Sequence, residues 1–156
     1  MGRDAAGVIG IRLARQGDEV VFMGVPAPDD YLLVLTETGR GKRVALSEFR
    51  RKHRGGQGVR LIPLEGAKTG RVAAAHMVSE QDEELLLISA SGQIVRTDVR
   101  SVSRQSSGAR GVIVMRLNHG DSVAGIAVFR AGLAEQRQIG ENGEPDGGPT
   151  EGPTAD

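Results

Sequence analysis

Between Arg40 and Arg60 the sequence RGKRVALSEFRRKHRGGQGVR sets eight Lys or Arg against one carboxylate, Glu48, in a chain of formal net charge zero. The eight are Arg40, Lys42, Arg43, Arg50, Arg51, Lys52, Arg54 and Arg60. Guanidinium and ammonium groups donate hydrogen bonds to phosphate oxygens, but alone they neither cut nor transfer anything. Next to Arg54, the run Gly55-Gly56-Gln57-Gly58 lacks side-chain bulk. Backbone amides of Gly55, Gly56 and Gly58 are therefore able to approach a phosphate. The chemistry of this stretch is polyanion binding, set against the simpler reading of a solvated, charged hairpin.

Other groups offer no reaction. No phosphate-binding loop of the G-x-x-x-x-G-K-[ST] or G-x-G-x-x-G type stands in a strand-to-helix context. His53, His76 and His119 share no metal-ligand spacing, so no metal site is expected. There is no cysteine, hence no disulfide, no thiolate nucleophile and no cysteine-based zinc site. Tyr31 opens an apolar strand-like run and suits packing better than catalysis. No serine lies in a nucleophile-elbow sequence. No catalytic residue is assigned.

The elements that must carry the basic stretch follow from an internal repeat. Leu32 to Gly39 aligns with Leu85 to Gly92, and the offset of 53 continues unbroken through Arg43 and Arg96, Arg51 and Arg104, Gly58 and Gly111, to Leu64 and Leu117. Gly7 to Leu13 and Val20-Val21 repeat only the second half of that unit. The expected division is 1–25 as the second half of a truncated blade, 26–78 and 79–130 as two whole blades, and 131–156 as a tail. The chain thus begins inside a structural unit and reads as part of something longer.

Short apolar runs rich in Val, Leu and Ile, separated by glycine-containing turns, predict strands in place of helices. The expected strands are about 31 to 36, 42 to 46, 58 to 64 and 71 to 78, then about 84 to 89, 94 to 99, 111 to 117 and 122 to 129. Four strands per unit of about 50 residues describe an all-β, propeller-like blade, and the chain holds about two and a half of them. Residues 131–156 are poor in large apolar groups and carry six carboxylates against one arginine, which predicts a disordered acidic tail. The neutral total is a cancellation of about +5 before position 131 and −5 after it. No apolar run approaches a membrane span and no signal sequence opens the chain, so a soluble, cytoplasmic, nucleoid-associated protein is expected.

A family resemblance rests on these same residues. Leu-Thr-Glu-x-Gly-x-Gly-Lys-Arg (Leu35 to Arg43), then Ser47-Glu48-Phe49-Arg50 and Arg54-Gly55-Gly56-Gln57-Gly58-Val59, resembles a late blade of the C-terminal domain of the DNA gyrase A subunit. Met1-Gly2-Arg3, Gly7-Val8 and Gly17-Asp18-Glu19-Val20-Val21 resemble the end of the blade before it. Ser91-Gly92, Arg96 and Gly108-Ala109-Arg110-Gly111-Val112 resemble the final blade. The resemblance covers about residues 2 to 130, and the acidic tail matches in character. The equivalent polypeptide of topoisomerase IV is the close relative.

The resemblance implies a DNA-wrapping β-pinwheel that serves supercoiling by a type II topoisomerase. It also implies partners: duplex DNA, the gyrase B subunit, and the rest of the gyrase A subunit. Cleaving tyrosine and ATPase lie elsewhere in such an enzyme, so this chain is not an enzyme alone; ATP and Mg belong to the full enzyme and no cofactor is expected here. The family's wrapping box resembles Gln-Arg-Arg-Gly-Gly-Lys-Gly. Here the aligned run is Lys52-His53-Arg54-Gly55-Gly56-Gln57-Gly58, which keeps Arg54, Gly55, Gly56 and Gly58 and reads as a later-blade version. The DNA-binding set expected is the eight cations above plus Arg96, Arg104 and Arg110. The rival readings are a propeller-like module that binds acidic protein partners, or an inactive gene fragment.

Overall fold

In the computed structural model, residues 6–130 are described, apart from the side chains of residues 82, 83 and 130. The acidic tail expected at 131–156 lies outside them. Seven strands form two antiparallel sheets: β1 (Tyr31–Thr36), β2 (Arg40–Ala45), β3 (Val72–Val78), β4 (Asp82–Ser89), β5 (Ile94–Asp98), β6 (Val112–Ile113) and β7 (Val123–Arg130). Among the described residues there is no α-helix, only three short 3-10 turns, and no helix is long and apolar enough to cross a membrane.

The first sheet has the order β3-β1-β2-β6 and the second β5-β4-β7. Each repeat builds the same hairpin, with its last strand on the outer side of its first: Leu33 pairs with Arg43 and with His76, and Leu86 with Arg96 and with Ala127. The fourth strand of the first sheet, however, comes from the second repeat. Arg40 pairs with Ile113 and Gly41 with Val112. The sheet is therefore out of step with the sequence repeat, and the second repeat lends a strand to the first.

Two glycines make the exchange sterically possible. Gly111 has φ +75° and a Cβ on it would stand 2.7 Å from the Gly41 carbonyl oxygen, while Gly39 has φ +79° and its Cβ would stand 2.2 Å from the Met115 carbonyl oxygen. Neither position admits a side chain. The close approach lets the amides of Val114 and Met115 both donate to Gly39 O, at 2.9 and 3.1 Å.

The core lies between the sheets. Leu33 and Leu35 on β1 cluster with Leu85 and Leu87 on β4, and Val78, Val99, Val102, Met115 and Val123 complete the cluster. Burying these Leu and Val side chains contributes roughly 1.5 to 3 kcal/mol each against leaving them in water. Expected strand 58–64 has no ladder partner and bends at Ile62, and 111–117 shortens to the two residues of β6. Pattern alone reads apolar runs, whereas a strand needs a neighbour for its amides.

The turn between β4 and β5 is tied to the turn before β7 by one carboxylate. Asp121 accepts from Ser91 N at 3.0 Å, from Ser91 Oγ at 2.5 Å and from Ser122 N at 2.8 Å. The hydroxyls of Ser89 and Ser91 first, then the Ser122 and Ser91 amides, hold its pKa down at about 2 against burial acting upward. A depressed carboxylate pKa means that the tie is fully present above the ordinary value of 3.8 and is lost as pH falls toward 2. A carboxyl-detected NMR titration is expected to place the Asp121 midpoint at about 2; a midpoint at the ordinary 3.8 contradicts the tie.

Candidate nucleic-acid interface

The basic stretch divides sharply into buried and exposed cations. On β2, Lys42 is fully buried and Arg43 is 6% exposed. The Lys42 ammonium donates to three backbone carbonyls of the second repeat, Ser106 at 2.7 Å, Ser107 at 2.9 Å and Ala109 at 2.8 Å. Burial pulls its pKa below the ordinary lysine value, with the Glu48 carboxylate acting in the opposite direction. Arg43 donates through Nε to Val102 O at 2.8 Å and through Nη2 to Arg100 O at 3.3 Å. Its guanidinium also lies 5.3 Å from the centre of the Tyr31 ring.

Lys42 and Arg43 are thus corrected from DNA ligands to inter-repeat staples. Both are buried on β2; the Lys42 ammonium and Arg43 Nε and Nη2 donate to carbonyls that the next repeat brings close, while Arg43 Nη1 lies 3.6 Å from the Glu80 carboxylate. Arg40 is half-buried and points Nη1 toward Gly111 O at 3.5 Å. Gly55 is corrected as a phosphate-approaching amide, because its N–H donates to Gly10 O at 2.8 Å. Gly56 and Gly58 remain exposed.

After Ala45 the chain leaves the sheet. A 3-10 turn at Leu46–Glu48 is followed by Phe49, whose amide donates to Leu46 O at 2.9 Å. Residues 50–53 then run without regular structure, and Arg50, Arg51, Lys52 and Arg54 are all exposed. The glycine end of this loop is pinned: besides the Gly55 contact, Arg12 N donates to Gly56 O at 2.9 Å. Arg60 follows, exposed, on the segment after Gly58. Arg50, Arg51, Lys52, Arg54 and Arg60 form no salt bridge and no side-chain hydrogen bond among the described residues.

The aligned cations of the second repeat are engaged. Arg110 pairs with Glu65 at 2.9 Å, Arg96 pairs with Glu84, and Arg104 lies 5.2 Å from the centre of the Tyr31 ring. Sequence alignment equates the two loops; the structure separates them by what surrounds them. Lys42 clamps the loop 103–110, whereas the loop 50–57 keeps its cations in water. Sequence reasoning misses Arg12 as a neighbour of the exposed set. Its signal is Arg116 at the matching place in the copy Gly111-Val112-Ile113-Val114-Met115-Arg116-Leu117.

Among the described residues no group of three or more His, Asp or Glu is placed to hold a metal ion. The arrangement is an exposed cationic loop on a strand-exchanged double sheet, which defines a propeller-type module whose densest run of free positive charge lies on that loop.

The family model described as the DNA gyrase C-terminal domain, a β-propeller, matches residues 1–26, 30–79 and 83–130. The chain belongs to that family. It is 38% identical over 129 residues to the DNA gyrase A subunit of Staphylococcus epidermidis, covering 81% of this chain and 14% of the relative. Against the DNA gyrase A subunit of Aminobacterium colombiense it is 41% identical over 128 residues, 82% of this chain and 15% of the relative. The chain therefore spans about a seventh of these relatives' length. A solved DNA gyrase A C-terminal domain superposes with TM-score 0.59 at 37% identity, over 64% of this chain and 33% of that one. A topoisomerase IV C-terminal domain superposes with TM-score 0.74 at 22% identity, over 88% and 44%, a likeness of fold.

Proposed function

We propose that this chain binds duplex DNA without sequence preference, through phosphate contacts from Arg50, Arg51, Lys52, Arg54 and Arg60, and that within the gyrase A polypeptide such contacts help wrap DNA for supercoiling. The observation that carries the reading is the set of five exposed cations, without partners among the described residues, gathered on one loop and the segment after it. Phosphate contacts position a protein on the duplex but read no bases. Arg104 and Arg110 of the next repeat extend the same role at lower weight, because each already has a partner in the fold. Arg96 contributes least, for its equivalent Arg43 serves the contact between repeats.

The reading assigns no bond-making step and no cofactor to this chain. Its proposed partners in the full enzyme are the B subunit together with the rest of the A polypeptide, and its proposed place is the bacterial cytoplasm and nucleoid. Fluorescence anisotropy with a labelled duplex tests the role. Unlabelled duplexes of unrelated sequence are expected to displace the label equally well, and an acidic polypeptide of equal charge only weakly. Displacement by the polypeptide at lower concentration than by DNA would shift the assignment to acidic protein partners.

A further inference from the structure

The ring of Tyr31 meets two guanidiniums. Tyr31 opens β1, is half-buried and packs against the core cluster between the sheets. The Arg43 guanidinium lies 5.3 Å from the ring centre and the Arg104 guanidinium 5.2 Å. The two cations differ in what else they touch. Arg43 is buried, donates to two carbonyls and stands 3.6 Å from the Glu80 carboxylate. Arg104 is exposed and forms no salt bridge among the described residues, whereas Arg96 and Arg110 each face a carboxylate.

Arg104 is nonetheless held at both ends. Its backbone is fixed along β2, because Arg43 N donates to Ser103 O at 3.0 Å and Gln105 N donates to Arg43 O at 2.9 Å, on either side of it. Its Nη1 points to the Tyr31 hydroxyl at 3.5 Å, and it has no other hydrogen bond among the described residues. A guanidinium stacked on an aromatic ring engages its flat face, while its N–H donors lie in the plane and stay available for phosphate. An arginine held this way also loses less side-chain freedom on binding than one loose in water.

We infer that Tyr31 is a positioning residue for DNA binding: it presents Arg104 to one backbone phosphate of the duplex, with Arg43 bracing the ring from inside the fold. The inference rests on the DNA-binding role proposed above and adds to it a contact point outside the loop 50–57. The second repeat shows what the tyrosine avoids. At the place aligned with Tyr31 stands Glu84, which pairs with Arg96, the equivalent of Arg43. A carboxylate holds an arginine by cancelling its charge. A ring holds it and leaves the charge for phosphate.

Duplex titrations of the full chain test this as a double-mutant cycle. Tyr31→Leu and Arg104→Gln are each expected to weaken binding by about three- to fivefold near 0.1 M salt and to lower the salt slope by about 1. The variant carrying both is expected to lose no more than either alone. Tyr31→Phe keeps the ring and is expected to bind within about twofold of the parent. Losses that multiply when combined, a Tyr31→Phe loss as large as that of Tyr31→Leu, or Tyr31→Leu at parental affinity and slope would overturn the assignment while leaving the role of the loop 50–57 in place. A parental slope near zero would overturn both. In the unmodified chain, NMR is expected to show the Arg104 side-chain protons displaced by the ring current of Tyr31, and its absence would overturn the assignment whatever the stability of the variants.

Discussion

Replacing Arg50, Arg51, Lys52 and Arg54 together by glutamine is expected to weaken duplex binding by about two to three orders of magnitude near 0.1 M salt and to cut the salt slope by about 3 to 4. All four side chains are exposed, and none has a partner among the described residues. Their removal therefore subtracts phosphate contacts without disturbing the sheets, and unfolding midpoints should move little. Glutamine at Arg104 and Arg110 serves as the comparison. There the expected loss is about tenfold or less, because Arg110 already pairs with Glu65 and Arg104 already lies against Tyr31. Anisotropy titrations of the two variants against the parent chain check the ranking, and equal losses would contradict the division of the two loops.

Lys42→Met is expected to destabilise the fold by about 3 kcal/mol, the largest effect of any single cation. Methionine fills much of the lysine stem's volume but leaves the carbonyls of Ser107 and Ala109 without the ammonium donor, and Ser106 O with only the Ala109 amide at 3.1 Å. A buried acceptor stripped of its partner costs about 1 to 3 kcal/mol, less where water reaches it. Since those carbonyls belong to the second repeat, hydrogen exchange should accelerate first in residues 103–110. Lys52→Met, exposed on the loop, is the control and should change stability by under about 0.5 kcal/mol. Denaturant unfolding of both variants makes the comparison. A Lys42→Met loss as small as the control's would contradict the staple.

These two expectations mark where the sequence was legible and where it was not. The 53-residue repeat and its turns located β1, β2, β4 and β5 to within about two residues at each end, because each is an apolar run bounded by a turn, the main glycine corners being Gly39 and Gly92. Strand exchange was not legible, since nothing in a repeat's own pattern says whether its third segment pairs at home or with the preceding unit. That choice depends on Gly39 and Gly111, where a Cβ would stand 2.2 Å from the Met115 carbonyl oxygen and 2.7 Å from the Gly41 carbonyl oxygen.

The candidate site shows the same division. Local charge identified the loop from Arg50 to Arg54 correctly as exposed, since four cations in so short a run cannot be buried cheaply. It misplaced Lys42 and Arg43, which stand on a strand whose burial is continuous from Gly41 to Ala45. A charged residue flanked by Gly41 and Val44 gives no sign of the carbonyls that the next repeat brings to it. Only the folded neighbour supplies the compensation that makes their burial tolerable.

The claim that the exposed loop and Arg60 bind DNA through phosphates is tested most directly by the salt dependence of affinity for a duplex of arbitrary sequence. With about five phosphate contacts, log K against log salt should fall with a slope of about −4 to −5, and duplexes of unrelated sequence should give superimposable lines. A slope near zero would contradict the phosphate contacts, and lines that separate widely by sequence would contradict binding without base readout.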